Sequence, residues 1–199
     1  MSAISPDIGP YMGYHIRMSP FLAADGVYLR PLEPEDLPLF QSWFADRDVV
    51  RYSLGAWLFP TSMLETAEWL EKAIRDKGTL SLGIVVQDTG ALIGYAGIAA
   101  ISAINRSGEY YILIGDKGNW GKGYGTAVTK VIVEYGFASL NLHRIMLTVS
   151  APNEGGLTAY RRAGFTAEGV LRQACYRDGA YHDKVVMSIL REEWDARPR

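Results

Sequence analysis

The sequence predicts a mixed α/β layer protein built as one domain. Strand-like and helix-like patterns alternate along the chain in the order β-α-α-β-β-β-α-β-α-β-β, which suits helices packed on a sheet. The length of 199 residues fits a single domain. A hydrophobic fraction of 48% is enough for a sizeable core and argues against disorder.

Each element has its own signal. Met1 to Asp25 holds Pro6, Gly9, Pro10, Gly13 and Pro20 with little periodicity between them. It reads as an irregular arm that packs on the domain or on a second subunit, so that residues 26–199 form the domain. Val27 to Leu32 is a short strand. Pro34-Glu35-Asp36 opens a helix, because proline suits the first turn and acids suit its positive end; Leu37, Phe40, Trp43 and Phe44 are its apolar face. Arg47 to Pro60 reads as a loop rich in aromatics, with Tyr52, Trp57 and Phe59. Thr61 or Ser62 caps a second helix, with Glu65 three residues after Ser62 as in a capping box, and Ala67, Leu70 and Ile74 follow as an inner helix face that Gly78 ends.

Leu80 to Gln87 and Leu92 to Ile101 read as antiparallel strands around the turn Asp88-Thr89-Gly90. Glu109 to Ile114 is a buried strand, and Ala127, Val128, Val131, Ile132 and Tyr135 mark one face of the next helix. Leu142 to Val149 alternates as a strand. Glu154 to Ala163 is a helix closed by Gly164. Val170 to Tyr176 and Tyr181 to Leu190 are strands joined through Asp178-Gly179, a strong hairpin signal. No internal repeat or linker interrupts the order.

Composition narrows the function classes. The formal net charge is -2 and no basic cluster stands out, which argues against a nucleic-acid partner. The single cysteine, Cys175, rules out an intrachain disulfide and suits a reducing compartment. The N-terminus lacks a signal-peptide pattern, and no run reaches the ~18 apolar residues of a membrane span. A soluble, cytoplasmic protein with no membrane partner is expected. His15, His143 and His182 are scattered without metal-ligand spacing, so no metal is expected.

The chain is organised around Gly108 to Phe137, where a strand runs through Gly115, Gly118 and Gly121 into a helix. A helix start leaves N–H groups unpaired and carries partial positive charge, so it favours an anion, most often phosphate. Glycines let the backbone come close to such a group. The dinucleotide fingerprint G-x-G-x-x-G fails, because Thr126 stands in place of the third glycine. The P-loop pattern fails too: Asp116 replaces its first glycine, and Gly123 follows Lys122. On these residues alone, the glycines either cradle a phosphate or only turn the chain.

The run Trp120-Gly121-Lys122-Gly123-Tyr124-Gly125-Thr126 resembles the pyrophosphate loop of the GNAT N-acetyltransferase superfamily, [Q/R]-x-x-G-x-[G/A]. Trp120 takes the first position. In this it is similar to the branch holding the ribosomal-protein N-terminal acetyltransferases and the spermidine acetyltransferases. Asn153, Tyr160, Gly164 and Phe165 match the superfamily's N-x-x-A-x-x-x-Y-x-x-x-G-F block, with Gly156 where a small residue such as alanine is usual. The likeness spans roughly residues 26 to 194. It implies a central, mostly antiparallel sheet flanked by helices, in which the strands bearing Glu109 and Val149 splay apart to admit acetyl-CoA as cosubstrate.

Acetyl transfer needs a held thioester, a neutral amine and a proton for the departing thiolate. The backbone amides of Gly121, Lys122, Gly123, Tyr124, Gly125 and Thr126 are the candidates for the pyrophosphate, with Trp120 beside them. The resemblance adds the main chain of Ile112 and Ile114 for the pantetheine arm, and Asn153. Lys122 either screens phosphate charge or is a solvated loop lysine. Glu109 is the candidate base or amine-binding carboxylate, against an exposed strand-end acid. Tyr160 is the candidate acid, placed by the resemblance beside the coenzyme sulfur, against a packing role. Glu33, Glu35, Asp36, Asp46 and Asp48 make the first helix region acidic, and Trp57 and Phe59 either line the acceptor site or pack.

The expected acceptor is a primary amine. A protein N-terminus stands slightly ahead of a polyamine or another small amine. The resemblance leaves room for a homodimer. Competing readings are a coenzyme A-binding module without turnover and a nicotinamide-cofactor enzyme.

Overall fold

The structure, a computed structural model, describes residues 20–53 and 59–197. Most of the expected arm, together with His15 and Trp57, lies outside the described residues. The remaining elements form one eight-stranded sheet in the order β1-β2-β3-β4-β5-β6-β8-β7. Every neighbouring pair is antiparallel except β5 and β6. No helix among the described residues is long and apolar enough to cross a membrane.

The arm ends earlier than expected. β1 (Leu22–Ala24) pairs with β2 (Val27–Pro31) across Asp25-Gly26, with Gly26 at φ +72°. That dipeptide is an ordinary hairpin signal, but the strand before it is too short to show alternation. After β2, a single 3-10 turn at Pro34–Asp36 leads into α1 (Leu37–Ala45), whose Phe40, Trp43 and Phe44 are buried as expected. The segment read as a loop contains α2 (Arg47–Val50). The Asp46 side chain accepts from the N–H of Asp48 and caps this one-turn helix, while Val49 and Val50 are buried. A turn so short has no periodicity to detect. α3 (Met63–Arg75) starts on the expected capping box, with Ser62 and Glu65 exchanging side-chain to backbone bonds of 2.8 and 3.2 Å.

β3 (Leu80–Val86), β4 (Leu92–Ser102) and β5 (Ser107–Ile114) form the antiparallel centre. The helices α1, α2 and α3 cover one face of it through Leu32, Phe40, Trp43, Val85, Tyr95 and Leu113. The helices α4 (Tyr124–Ala138) and α5 (Glu154–Ala163) cover the other. The buried face of α4 is Val128, Thr129, Ile132, Val133, Gly136 and Phe137, rotated from the expected stripe. Gly136 explains the shift, since a Cβ there would lie 2.7 Å from Cδ1 of Ile145. The helix packs with its backbone close to the sheet, and Ala127, Val131 and Tyr135 fall at the margin. β6 (Arg144–Ser150) alternates as expected, and β7 (Thr166–Arg177) and β8 (Ala180–Leu190) form the C-terminal hairpin before the short α6 (Arg191–Asp195).

Candidate active site

β5 and β6 are joined only at one end. Ser107, Gly108 and Glu109 pair with Arg144, Ile145 and Met146, and no pair follows. Beyond that point β5 stays on β4 and β6 stays on β8, so a gap opens between them. The N–H of Gly115 turns toward β4, donating to Ile93 O at 2.8 Å. Strand alternation therefore aims the main-chain groups of Ile114 and Ile112 into the gap. These are the groups expected to meet an extended ligand arm.

The gap widens into a cleft of about 770 Å³. Ile112, Leu113 and Ile114 form one wall, and Thr148, Val149 and the start of α5 form another. Trp120, Gly121, Gly123, Gly125 and Thr126 close one end, and Asp48, Arg51, Tyr52 and Ser53 border it from α2 onward.

The turn before α4 has the features of an anion cradle. Gly121 and Gly123 take φ of +75° and +86°, a region that disfavours other residues. Nothing lies within 4 Å of where their Cβ atoms would be, so the cradle is open. The N–H groups of Gly121 through Gly125 have no partner among the described residues. The N–H of Thr126 bonds to Gly123 O at 3.0 Å, which leaves it less free than its neighbours. Unpaired amides at the positive end of a 15-residue helix suit a pyrophosphate. Lys122 does not line the cleft; its Nζ turns back to Asn119 Oδ1 at 2.9 Å. The Tyr124 ring packs over Gly26, and Tyr124 does not line the cleft.

Asn153 caps α5, its Oδ1 accepting from Gly156 N–H at 3.0 Å while its side chain lines the cleft. A Cβ at position 156 would sit 2.8 Å from Asn153 Nδ2. This accounts for glycine at a position where alanine is usual. Tyr160 lines the cleft one helical stretch further on. Its ring stands edge-on to Tyr110 and tilts against Phe165, each at 6.1 Å. Burial pushes its phenol up to about 12, so it stays protonated at any physiological pH.

Glu109 stands where β5 and β6 part, exposed and outside the cleft lining. Alternation puts it on the face of β5 opposite Tyr110. The structure thus groups Tyr160, Asn153, Trp120 and the glycine turn around one cleft, and keeps Glu109 at the apex of the gap.

The acidic residues of the first helix region divide. Asp36 is buried and paired with Arg30 through two bonds of 2.6 and 2.8 Å, a structural role. Asp46 and Asp48 share Lys117 at 2.6 and 3.3 Å, and of these Asp48 borders the cleft. Phe59 is 74% exposed and does not line the cleft. Cys175 is buried against Ser150 Oγ at 3.2 Å, as a small core residue would be.

Sequence reasoning missed the wall from Asp48 to Ser53. Arg51 pairs with Asp178 at 2.6 Å, and Arg177 donates to Ser53 O at 2.8 Å. The tip of the β7–β8 hairpin thereby holds that wall across more than a hundred residues of chain. No local pattern could signal such a contact.

A family model, "Acetyltransferase (GNAT) domain", matches residues 27–166. The chain is 30% identical over 174 residues to the spermidine N(1)-acetyltransferase of Escherichia coli (strain K12), covering 86% of this chain and 90% of the relative. The crystal structure of spermidine N-acetyltransferase from Vibrio cholerae in complex with CoA and spermine is 30% identical and superposes with a TM-score of 0.76. It covers 85% of this chain and 98% of that one. A dodecameric structure of the Vibrio cholerae enzyme superposes at 0.74 with 28% identity, covering 88% of this chain and 99% of that one. The open cradle and the parting of β5 from β6 fit coenzyme A, which carries the acetyl group as a thioester. The chain belongs to the acetyltransferase (GNAT) domain family and is an acetyl-CoA-dependent N-acetyltransferase.

Proposed function

We propose that this enzyme acetylates an aliphatic primary amine of the polyamine kind by direct attack within a ternary complex. The observation that carries the direct route is the gap between β5 and β6, which widens into one cleft bordered both by the glycine turn and by Asp48 to Ser53. Cosubstrate and acceptor then have room to meet without a covalent relay. The acceptor nitrogen forms its bond to the acetyl carbon as the carbon–sulfur bond breaks. The thiolate takes the Tyr160 proton, and the amine's proton leaves to Glu109, directly or through water. Tyr160 and Glu109 belong to opposite faces of β5, which suits departure on one side of the thioester and attack on the other.

The sequence favoured a protein N-terminus slightly. The names of the relatives at 30% identity move the order toward a polyamine. Asp48 at the cleft border supplies a carboxylate for a cationic chain, although Lys117 shares it. A cytoplasmic setting suits such an acceptor. Assembly into a homo-oligomer accompanies this reading, supported by the dodecameric relative.

A coenzyme-release assay with acetyl-CoA tests it, using polyamines, amino acids, aminoglycosides and short peptides as acceptors. Release with spermidine or spermine ahead of the other amines is expected. Preference for peptides would restore the N-terminal reading. Parallel double-reciprocal lines would overturn direct attack.

A further inference from the structure

We propose that Tyr110 is a positioning residue that sets the span between the acid Tyr160 and the phosphate-facing turn before α4. This rests on the reading of Tyr160 as the acid. Tyr110 is 3% exposed and lies one residue beyond Glu109, where β5 leaves β6. Its ring stands edge-on to Tyr160 and tilts against Phe165, at 6.1 Å from each. The three rings brace one another, so the direction of the Tyr160 hydroxyl depends on Tyr110.

The other end of Tyr110 reaches the turn. Its hydroxyl is 2.9 Å from Thr129 Oγ1, and that hydroxyl donates to Gly125 O at 2.6 Å. A threonine hydroxyl has one proton. Since that proton goes to Gly125, Tyr110 is the donor, and the chain runs Tyr110 O–H to Thr129 O–H to Gly125 C=O. Thr129 is fully buried. Gly125 is the second residue of α4, and its carbonyl shares a peptide with the N–H of Thr126. The chain therefore pins the first turn of the helix to the central strand.

The arrangement has a chemical purpose. The pyrophosphate and thioester of acetyl-CoA are joined by an arm of fixed length. A site that holds both must keep its anion cradle and its acid at a matching separation, because small misplacement costs rate. Phenylalanine would fill the same space at position 110 and brace the same rings. Only tyrosine also reaches the helix start.

Calorimetric titration of CoA, with turnover measured alongside, tests the proposal on Tyr110→Phe, Thr129→Val and the double variant. Each single change is expected to weaken CoA binding about five-fold, the size of one neutral hydrogen bond. The double variant is expected to be no weaker than either single one, because both break the same chain. Thr129→Ser, which keeps the hydroxyl, is expected to bind as the native protein does. Lower melting temperatures with unchanged CoA affinity would overturn the proposal and leave Tyr110 a packing residue. Additive weakening would also overturn it. Tyr160→Phe separates the two readings: it should lower turnover while leaving CoA affinity within about two-fold. Full turnover in that variant would sink the acid role, and the calorimetry would still judge the tether to the turn.

Discussion

The indole N–H of Trp120 donates to the carbonyl oxygen of Ile114 at 2.8 Å, folding the glycine turn back onto the last residue of β5. One bond thus ties the glycine turn to the strand edge proposed to meet the pantetheine arm. Trp120→Phe keeps an aromatic ring and loses the donor. We expect the acetyl-CoA KM to rise about five-fold with little change in kcat, as the loss of one hydrogen bond remote from the reacting atoms would give. Steady-state kinetics at saturating acceptor checks this.

Two glycines near the turn should separate binding from stability. Gly123 sits at φ +86° with open space around it. Gly123→Ala places an L-residue in the left-handed region at ~1–2 kcal/mol, and its methyl group enters the anion site. A Cβ at Gly115 would instead overlap the Trp43 ring, for ~1–3 kcal/mol of overpacking. Thermal melts with and without CoA should show a reduced ligand-induced shift for Gly123→Ala. For Gly115→Ala they should show a lower melting temperature and a preserved shift.

The pH–rate profile should rise on one side only. A general acid works while it holds its proton, and burial has pushed Tyr160 up to about 12. Its protonated form therefore persists below that value. The acceptor amine, with a pKa near ~10, gains reactive neutral form as pH rises. We expect kcat/KM to climb through pH ~7 to ~9 with no falling limb from Tyr160. Tyr160→Phe should lower kcat by ~10²- to ~10⁴-fold. An unchanged kcat would remove Tyr160 from the chemistry.

Acid stability should depend on Glu168. Hydrogen bonds from Arg144 and Ser188 hold this carboxyl at about 2. Its unfolded value is ~4.3. A depressed folded pKa contributes stability that is complete above the unfolded value and is lost as pH falls toward the folded one. The loss therefore lies between pH ~4.3 and the folded value. The Glu168 side chain is 38% exposed, so solvent screening limits the contribution to ~1 kcal/mol. Urea midpoints taken from pH ~5 to ~2 should fall less steeply for Glu168→Gln than for the native protein.

The buried pair Arg30–Asp36 should tolerate less. Asp36 also accepts from the N–H of Glu33 at 2.9 Å, holding the turn that starts α1. Arg30→Met leaves the carboxylate buried without its cation, which should cost ~3–5 kcal/mol. Urea denaturation measures the loss directly.

Much of the fold is written in local pattern. The Ser62–Glu65 capping box, the Asp178-Gly179 hairpin, the alternation along β6 and the Gly164 end of α5 act over a few residues, and each formed as read. Short elements escape such patterns: β1 and α2 are too brief to show a period. The buried stripe on α4 departs from the hydrophobic period because hydrophobicity ranks Gly136 and Thr129 low. Close packing at one and a hydrogen-bonded hydroxyl at the other bring both inside.

The sequence by itself determined the glycine turn, the helix that follows it, and the resemblance from which Tyr160 is proposed as the acid and Asn153 as a cofactor-binding residue. These follow from backbone conformation and spacing, which neighbouring residues decide. Only the tertiary structure decided where β5 leaves β6, and that Glu109 stands at this apex outside the cleft. It alone joined Arg51 to Asp178 and carried Tyr110 through Thr129 to Gly125. Such relationships depend on strand register and on side chains meeting across distant segments. Those positions are settled by packing the whole sheet against its helices, and no short window of sequence contains that information.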